Sequence, residues 1–132
     1  MLQVKPLIVI DISNVAGYYN EFPPKMENIK IMFQTLKFEY WVIGIADWNL
    51  QYCINNPEFY SSYLKRGIIT QVPPKIKADI LIIMTAKVND CLMITNDKFR
   101  EHINLIPSEL WLQEHLYQFE IINGEFRIYP PY

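Results

Sequence analysis

Residues 77–102, KADILIIMTAKVNDCLMITNDKFREH, decide the fold, because they join an acid, an apolar helical pattern, a short apolar run and two more acids in one compact unit. Asp79, Ile82, Ile83 and Ala86 recur at i, i+3, i+4 and i+7, so Asp79 to Val88 reads as a helix with one apolar face. Asp79 then sits in the first turn, where a carboxylate suits the positive end of the helix dipole. Cys91 to Thr95 (CLMIT), bounded by Asn89-Asp90 and Asn96-Asp97, reads as a strand buried on both faces. Asp97 falls just past its C-terminal end. The i, i+4 spacing of Asp97 and Glu101 predicts a single helical turn that stacks both carboxylates on one side. A competing reading of the same residues makes ILIIM a strand and VNDC a hairpin turn.

The upstream sequence repeats the pattern of strand, acid and helix. Leu7 to Ile10 is a β-branched run closed by Asp11, and Ser13 and Asn14 follow as residues that can hold a turn or support a carboxylate ligand. Asn28 to Phe38 has helical spacing at Ile29, Phe33 and Leu36, and Tyr40 to Ala46 is a second buried strand closed by Asp47. Trp48 to Asn56 reads as irregular. Pro57 to Arg66 reads as a helix with proline in its first turn and Gly67 as its stop, and Ile68 to Val72 as a short third strand. Downstream, a short helix runs through Trp111, and Phe119 to Ile122 and Glu125 to Tyr129 flank Asn123-Gly124, a strong hairpin signal.

Strands alternating with helices imply right-handed crossovers and a mostly parallel sheet whose functional edge is the C-terminal one. Asp11, Asp47 and Asp97 each follow the end of a strand, and the N-terminus of the Asp79 helix opens at the same edge. Asp90 is the exception: it starts a strand and should lie roughly 17 Å away at the usual strand rise, as a structural residue. Carboxylates held close repel one another, and an oxygen-only donor set favours Mg²⁺ or Mn²⁺. No HExxH, paired cysteines or histidine cluster points to zinc. Such a site suits phosphodiester hydrolysis.

With 132 residues, 51% of them apolar, the chain is expected to form one domain with its own core. A net charge of -2 and a pI near 5.6 give no basic surplus that would by itself indicate nucleic acid. Bound cations would cancel part of the acidity at the site. Lys75, Lys77, Lys98 and Arg100 flank the acids in sequence and are the candidate phosphate contacts. Cys53 and Cys91 form no CxxC pair and suit reduced thiols. The apolar run at Leu7 to Ile10 is too short for a signal peptide or a membrane span, so a soluble cytoplasmic protein is expected.

The segments Ile8 to Ala16 (IVIDISNVA) and Ile94 to His102 (ITNDKFREH) resemble the PIN-like ribonucleases, specifically the NYN branch that contains the regnase-type enzymes. The resemblance extends from Leu7 to about Pro131 and includes Ala46-Asp47, Asn49-Leu50, Asp79 and the closing hairpin. It implies a Rossmann-like three-layer α/β/α sandwich (a PIN-like fold) with a C-terminal β-hairpin. It also implies Mg²⁺- or Mn²⁺-dependent endoribonuclease activity on single-stranded or stem-loop RNA, leaving 5′-phosphate ends. The catalytic and metal-holding acids it implies are Asp11, Asp79, Asp97 and Glu101, supported by Asn14, Ser13, Asp47 and Asn96. There are departures: Ile12 stands where this branch usually has glycine, Ala78 where regnases have a second acid, and no CCCH zinc finger is present.

A haloacid dehalogenase-type phosphatase would need Asp-x-Asp, and Ser13 fills its second position. A nucleotide-binding Rossmann domain would need a glycine-rich loop that four glycines do not supply. The rival from another class is a catalytically silent module that binds RNA or protein through Tyr18, Tyr19, Trp48 and Tyr52. A toxin role, a homodimer or a protein partner is left open.

Overall fold

The computed structural model describes residues 4–130, so the end of the resemblance at Pro131 lies outside the described residues. Its core is one six-stranded sheet of order β3-β2-β1-β4-β5-β6. The strands are β1 (Leu7–Asp11), β2 (Trp41–Ala46), β3 (Ile69–Gln71), β4 (Leu92–Ile94), β5 (Leu116–Ile122) and β6 (Glu125–Tyr129). The first five run parallel and β6 pairs antiparallel with β5.

Alternation along β1 divides the interior between the two faces of the sheet. Ile8 and Ile10 pack on one side with Met26, Ile29, Met32 and Leu36 of α2 (Met26–Leu36) and Tyr60 of α4 (Pro57–Lys65). Val9 points the other way, toward Ile82, Ile83 and Ala86 of α5 (Ala78–Asn89) and Met93 of β4. Trp111 and Leu112 of α6 (Glu109–His115) cover the same side. The strand period of two thus builds the α/β/α sandwich directly, each face of β1 committed to a different helical layer.

The 77–102 segment forms helix α5 and then strand β4, so its rival hairpin reading falls. Asp90 closes α5 in a left-handed conformation, φ 49°, with its N–H on the Ala86 carbonyl. At the far end Asn123 (φ 53°) and Gly124 (φ 75°) make the two-residue hairpin turn.

Local readings change in four places. The predicted helical turn joining Asp97 to Glu101 does not form. Phe99 adopts φ 55° and a 3₁₀ helix starts only at Arg100, because the Asp97 side chain accepts the Phe99 N–H and turns the chain first. Residues 12–16 are a short helix α1 (Ile12–Ala16), since Asp11 caps it by accepting the Asn14 N–H. Leu50–Cys53 form a single turn, α3, within the stretch expected to be irregular. Strand β5 starts at Leu116 and extends the parallel sheet through Met93↔Leu116 and Ile94↔Tyr117, three residues before the hairpin expected from Phe119.

The Ile12 side chain is wholly buried. It lies against Gly44 of β2, where a Cβ would come within 2.9 Å of the Ile12 Cδ1.

Candidate active site

Asp11 ends β1 with 5% of its surface exposed. Its Oδ1 accepts the Asn14 N–H (3.2 Å) and its Oδ2 accepts the Thr95 hydroxyl (2.8 Å). Burial pushes its carboxyl up to about 7, aided by the charges of Asp79 and Asp47, while the Thr95 and Asn14 bonds pull the other way. A carboxyl that burial would otherwise keep neutral is thus poised near the charged form by two hydrogen bonds.

Thr95 links this acid to the next. Its hydroxyl, fully buried, donates to Asp11 and accepts the Asp97 N–H at 3.1 Å, so one side chain sets the spacing of two acid-bearing segments. Asn14 and Asn96 continue the chain of bonds: the Asn14 Oδ1 accepts the Asn96 N–H (2.8 Å), and the Asn96 Oδ1 accepts the Phe119 N–H (3.0 Å). β1, α1, the end of β4 and β5 are therefore tied at the C-terminal edge by side chains.

Asp47 and Ser13 serve the other side. The Ser13 Oγ accepts the Asp47 N–H (2.9 Å), and the Asp47 Oδ1 accepts the Ala78 N–H (2.9 Å), one of the otherwise unpaired donors at the start of α5. This places Asp79, in the first turn of α5, beside the other acids. Burial raises its carboxyl, as do the charges of Asp97 and Asp47, while His102 lowers it.

Among the described residues, Asp79, Asn96, Asp97, Glu101 and His102 share a cavity of about 390 Å³, with Lys98 and Arg100 on its wall. The Glu101 carboxylate is turned onto Lys77 (2.7 Å), which holds its carboxyl below the usual range, and it is largely exposed. Lys75 and Lys77 line a neighbouring cavity. The structure thus brings Asp11, Asp47, Asp79 and Asp97 to one edge, with Glu101 on its rim. Asp90 lies apart, its carboxylate 2.7 Å from the His115 Nε2.

Two contributors escaped the sequence reading. In sequence, Thr95 reads only as the end of a strand. His102 has its Nε2 3.4 Å from the Asp79 Oδ2, is 11% exposed, and has no well-formed hydrogen bond at that nitrogen. A lone histidine after an acid gives no signal by itself; only the turn at Phe99 brings it back over α5.

The donor set is oxygen-only and mutually repulsive, the chemistry of a hard-cation site. Among the described residues no three acidic, histidine or cysteine side chains are grouped closely enough to hold one ion directly. A cation that keeps most of its waters and takes one or two protein carboxylates fits this spacing.

Residues 4–130 match the profile of the Zc3h12a-like ribonuclease NYN domain. The chain belongs to that family. This NYN domain is similar to proteinaceous RNase P 2 of Arabidopsis thaliana, with 22% identity over 138 residues that cover 93% of this chain and 26% of that protein. One solved structure of the Arabidopsis thaliana nuclear protein-only RNase P 2 superposes with a TM-score of 0.74 at 19% identity, covering 97% of this chain and 30% of that one. A second gives 0.75 at 17% identity, with 96% and 30% covered. The structural matches establish the Rossmann-like, mostly parallel fold, and family membership sets the NYN domain among ribonucleases. It spans under a third of the length of these relatives.

Proposed function

We propose that the NYN domain is an endoribonuclease that cleaves single-stranded or looped RNA with Mg²⁺ or Mn²⁺. The observation that carries this reading is the meeting of Asp11, Asp79 and Asp97 from three separate segments, with each acid's neighbours including another acid. A fold has little reason to gather like charges unless a cation or a reaction uses them.

Asp11, Asp79 and Asp97 are the residues that would hold the cation, one or two of them directly and the rest through its waters, with Glu101 able to join on leaving Lys77. When bound, the ion supplies Lewis acidity and a water of lowered pKa. The chain's own contribution is positional. Thr95 fixes the Asp11 carboxylate and the Asp97 backbone against one another, Asp47 fixes the start of α5, and His102 limits the swing of Asp79. Lys75, Lys77, Lys98 and Arg100 flank these acids and meet the phosphates of the strand.

The test is incubation of labelled single-stranded RNA, stem-loop RNA and single-stranded DNA with wild type and Asp11→Asn, in Mg²⁺, Mn²⁺ or chelator. Cleavage of the unpaired RNA by wild type with metal only is the expected result. Cleavage that persists in chelator, or in Asp11→Asn, would overturn the reading.

A further inference from the structure

We propose that the cavity beyond the ends of β2 and β3 is a nucleobase subsite, in which Trp48 stacks on a base flipped out of the strand whose phosphate lies at the acids. This deepens the proposed function and rests on it for the identity of the strand.

The cavity measures about 510 Å³, within the range of roughly 300 to 1,000 Å³ typical of small-ligand sites. It is separate from the one lined by Asp79 and Asp97: Asp47, Trp48 and Asn49 after β2 form one wall, and Lys75, Ile76 and Lys77 after β3 form the other. Apolar walls with cations at the rim match a nucleotide, whose base has two apolar faces and whose phosphate carries charge.

Four features suit a base. Trp48 lines the cavity with 36% of its surface exposed, and Tyr52 stands edge-on against it, ring centres 6.4 Å apart at 66°, which steadies the indole. The Asn49 side-chain amide makes no hydrogen bond among the described residues, so it is free to meet the polar edge of a base. The wall itself is fixed, because Asp47 is bonded to both Ser13 and Ala78. Lys75, at φ 72°, holds a left-handed conformation unusual for a lysine, the kind of backbone outlier that clusters at binding sites.

Sheet order supplies the geometry. β2 and β4 flank β1, so Asp11 lies between this cavity and the one at the end of β4. Adjacent strands are about 4.8 Å apart, so a nucleic acid strand laid along this edge with one phosphate at the acids reaches the Trp48 cavity with a neighbouring nucleotide. A base can enter only when unstacked and unpaired, which would make the subsite a selector for single strands and loops.

The experiment separates binding from cleavage by working in chelator. A labelled ten-nucleotide RNA is titrated with the full chain, as a single strand, annealed to its complement, and with an abasic ribose at each position in turn. Trp48→Ala should weaken single-strand binding by roughly five- to a hundredfold, the usual worth of one base stack, while Trp48→Phe keeps most of it. One abasic position should reproduce the loss in wild type and add nothing in Trp48→Ala, and the duplex should bind wild type no better than the single strand binds Trp48→Ala. Equal binding by wild type and a folded Trp48→Ala, or an abasic effect at every position that adds fully to Trp48→Ala, would overturn the subsite. Failure of wild type to cleave RNA with metal would sink the nuclease reading but leave this binding result standing.

Discussion

The two ends of the parallel sheet carry similar side chains in opposite states. Where β4 begins, Asp90 is paired with His115, whose Nδ1 lies 2.7 Å from the Trp111 carbonyl and whose ring stacks on Trp111. Where β1 and β4 end, Asp11, Asp79 and Asp97 come together, and the basic side chains beside them include a histidine without a well-formed bond and a lysine turned to Glu101. The cavity near Asp90, about 680 Å³, is larger than either cavity at the acid edge. Size therefore does not mark the working end. On the proposed function unbalanced charge does, since a protein that can pair an acid at one end leaves acids facing acids at the other.

The largest test of this contrast is catalytic. Asp11→Asn, Asp79→Asn and Asp97→Asn should each reduce metal-dependent RNA cleavage by roughly a hundredfold or more, while Asp90→Asn stays near wild type. Single-turnover cleavage assays on folded variants decide it, and an Asp90→Asn as inactive as Asp11→Asn would erase the distinction between the two ends.

A second test uses pH. Asp11 binds its proton up to about pH 7 in the folded metal-free protein but only to about 3.8 in the unfolded chain. Between those values the folded state holds more protons, so stability falls as pH rises through the window and levels off above it, by up to about 4 kcal/mol for this group alone. Asp11→Asn should flatten that slope and match or exceed wild type in stability at pH 8. Mg²⁺ at a hundredfold excess over Kd should restore about 2.7 kcal/mol to wild type and less to Asp97→Asn. Urea melts from pH 4 to 8, with and without metal, measure both effects; a slope that rises with pH would contradict the raised carboxyl.

Smaller effects follow. His102→Ala should lower kcat by about tenfold and weaken metal binding, with His102→Gln recovering part of each, because the side chain limits how Asp79 moves. Metal titrations followed by thermal melts read the binding part independently of turnover. Replacing a true phosphate contact among Lys75, Lys77, Lys98 and Arg100 by alanine should reduce the log-log salt slope of RNA binding by roughly 0.7. An unchanged slope in all four variants removes this patch. Least of all, His115→Gln should cost about 0.2 to 1 kcal/mol, as for an exposed ion pair, and leave cleavage untouched.

The layers of the fold were legible because β1 and β2 declare themselves as apolar runs closed by acids, α2 and α5 by helical period, and Asn123-Gly124 declares its turn by chemistry. The edge that gathers the acids followed from the alternation of strands and helices, with acids placed just past strand ends. What stayed hidden depended on side chains bonding to backbone. Asp11 reads as a strand-end acid, but its capping bond to Asn14 starts α1 at once. Asp97 and Glu101 have helical spacing, yet the Asp97 side chain competes for the Phe99 N–H and wins, which swings Glu101 to Lys77 and His102 toward Asp79. Thr95 gave no sign that one hydroxyl would bridge two acids. An apolar run shows where a strand ends; it does not show which side chain will claim the first free amide beyond it.

The packing of Ile12 on Gly44 bears on how such a site can change over generations. The volume that β2 gives up at Gly44 is used by the residue immediately after Asp11. A side chain added at position 44 while Ile12 is present would press on the Ile12 side chain, at a cost of about 1 to 3 kcal/mol, beside the residue that follows the acid. If position 12 first became glycine, the space at 44 would open. The two positions therefore accept substitutions more readily in one order than in the other, and the packing beside the acid biases which neighbouring sequences a descendant can reach.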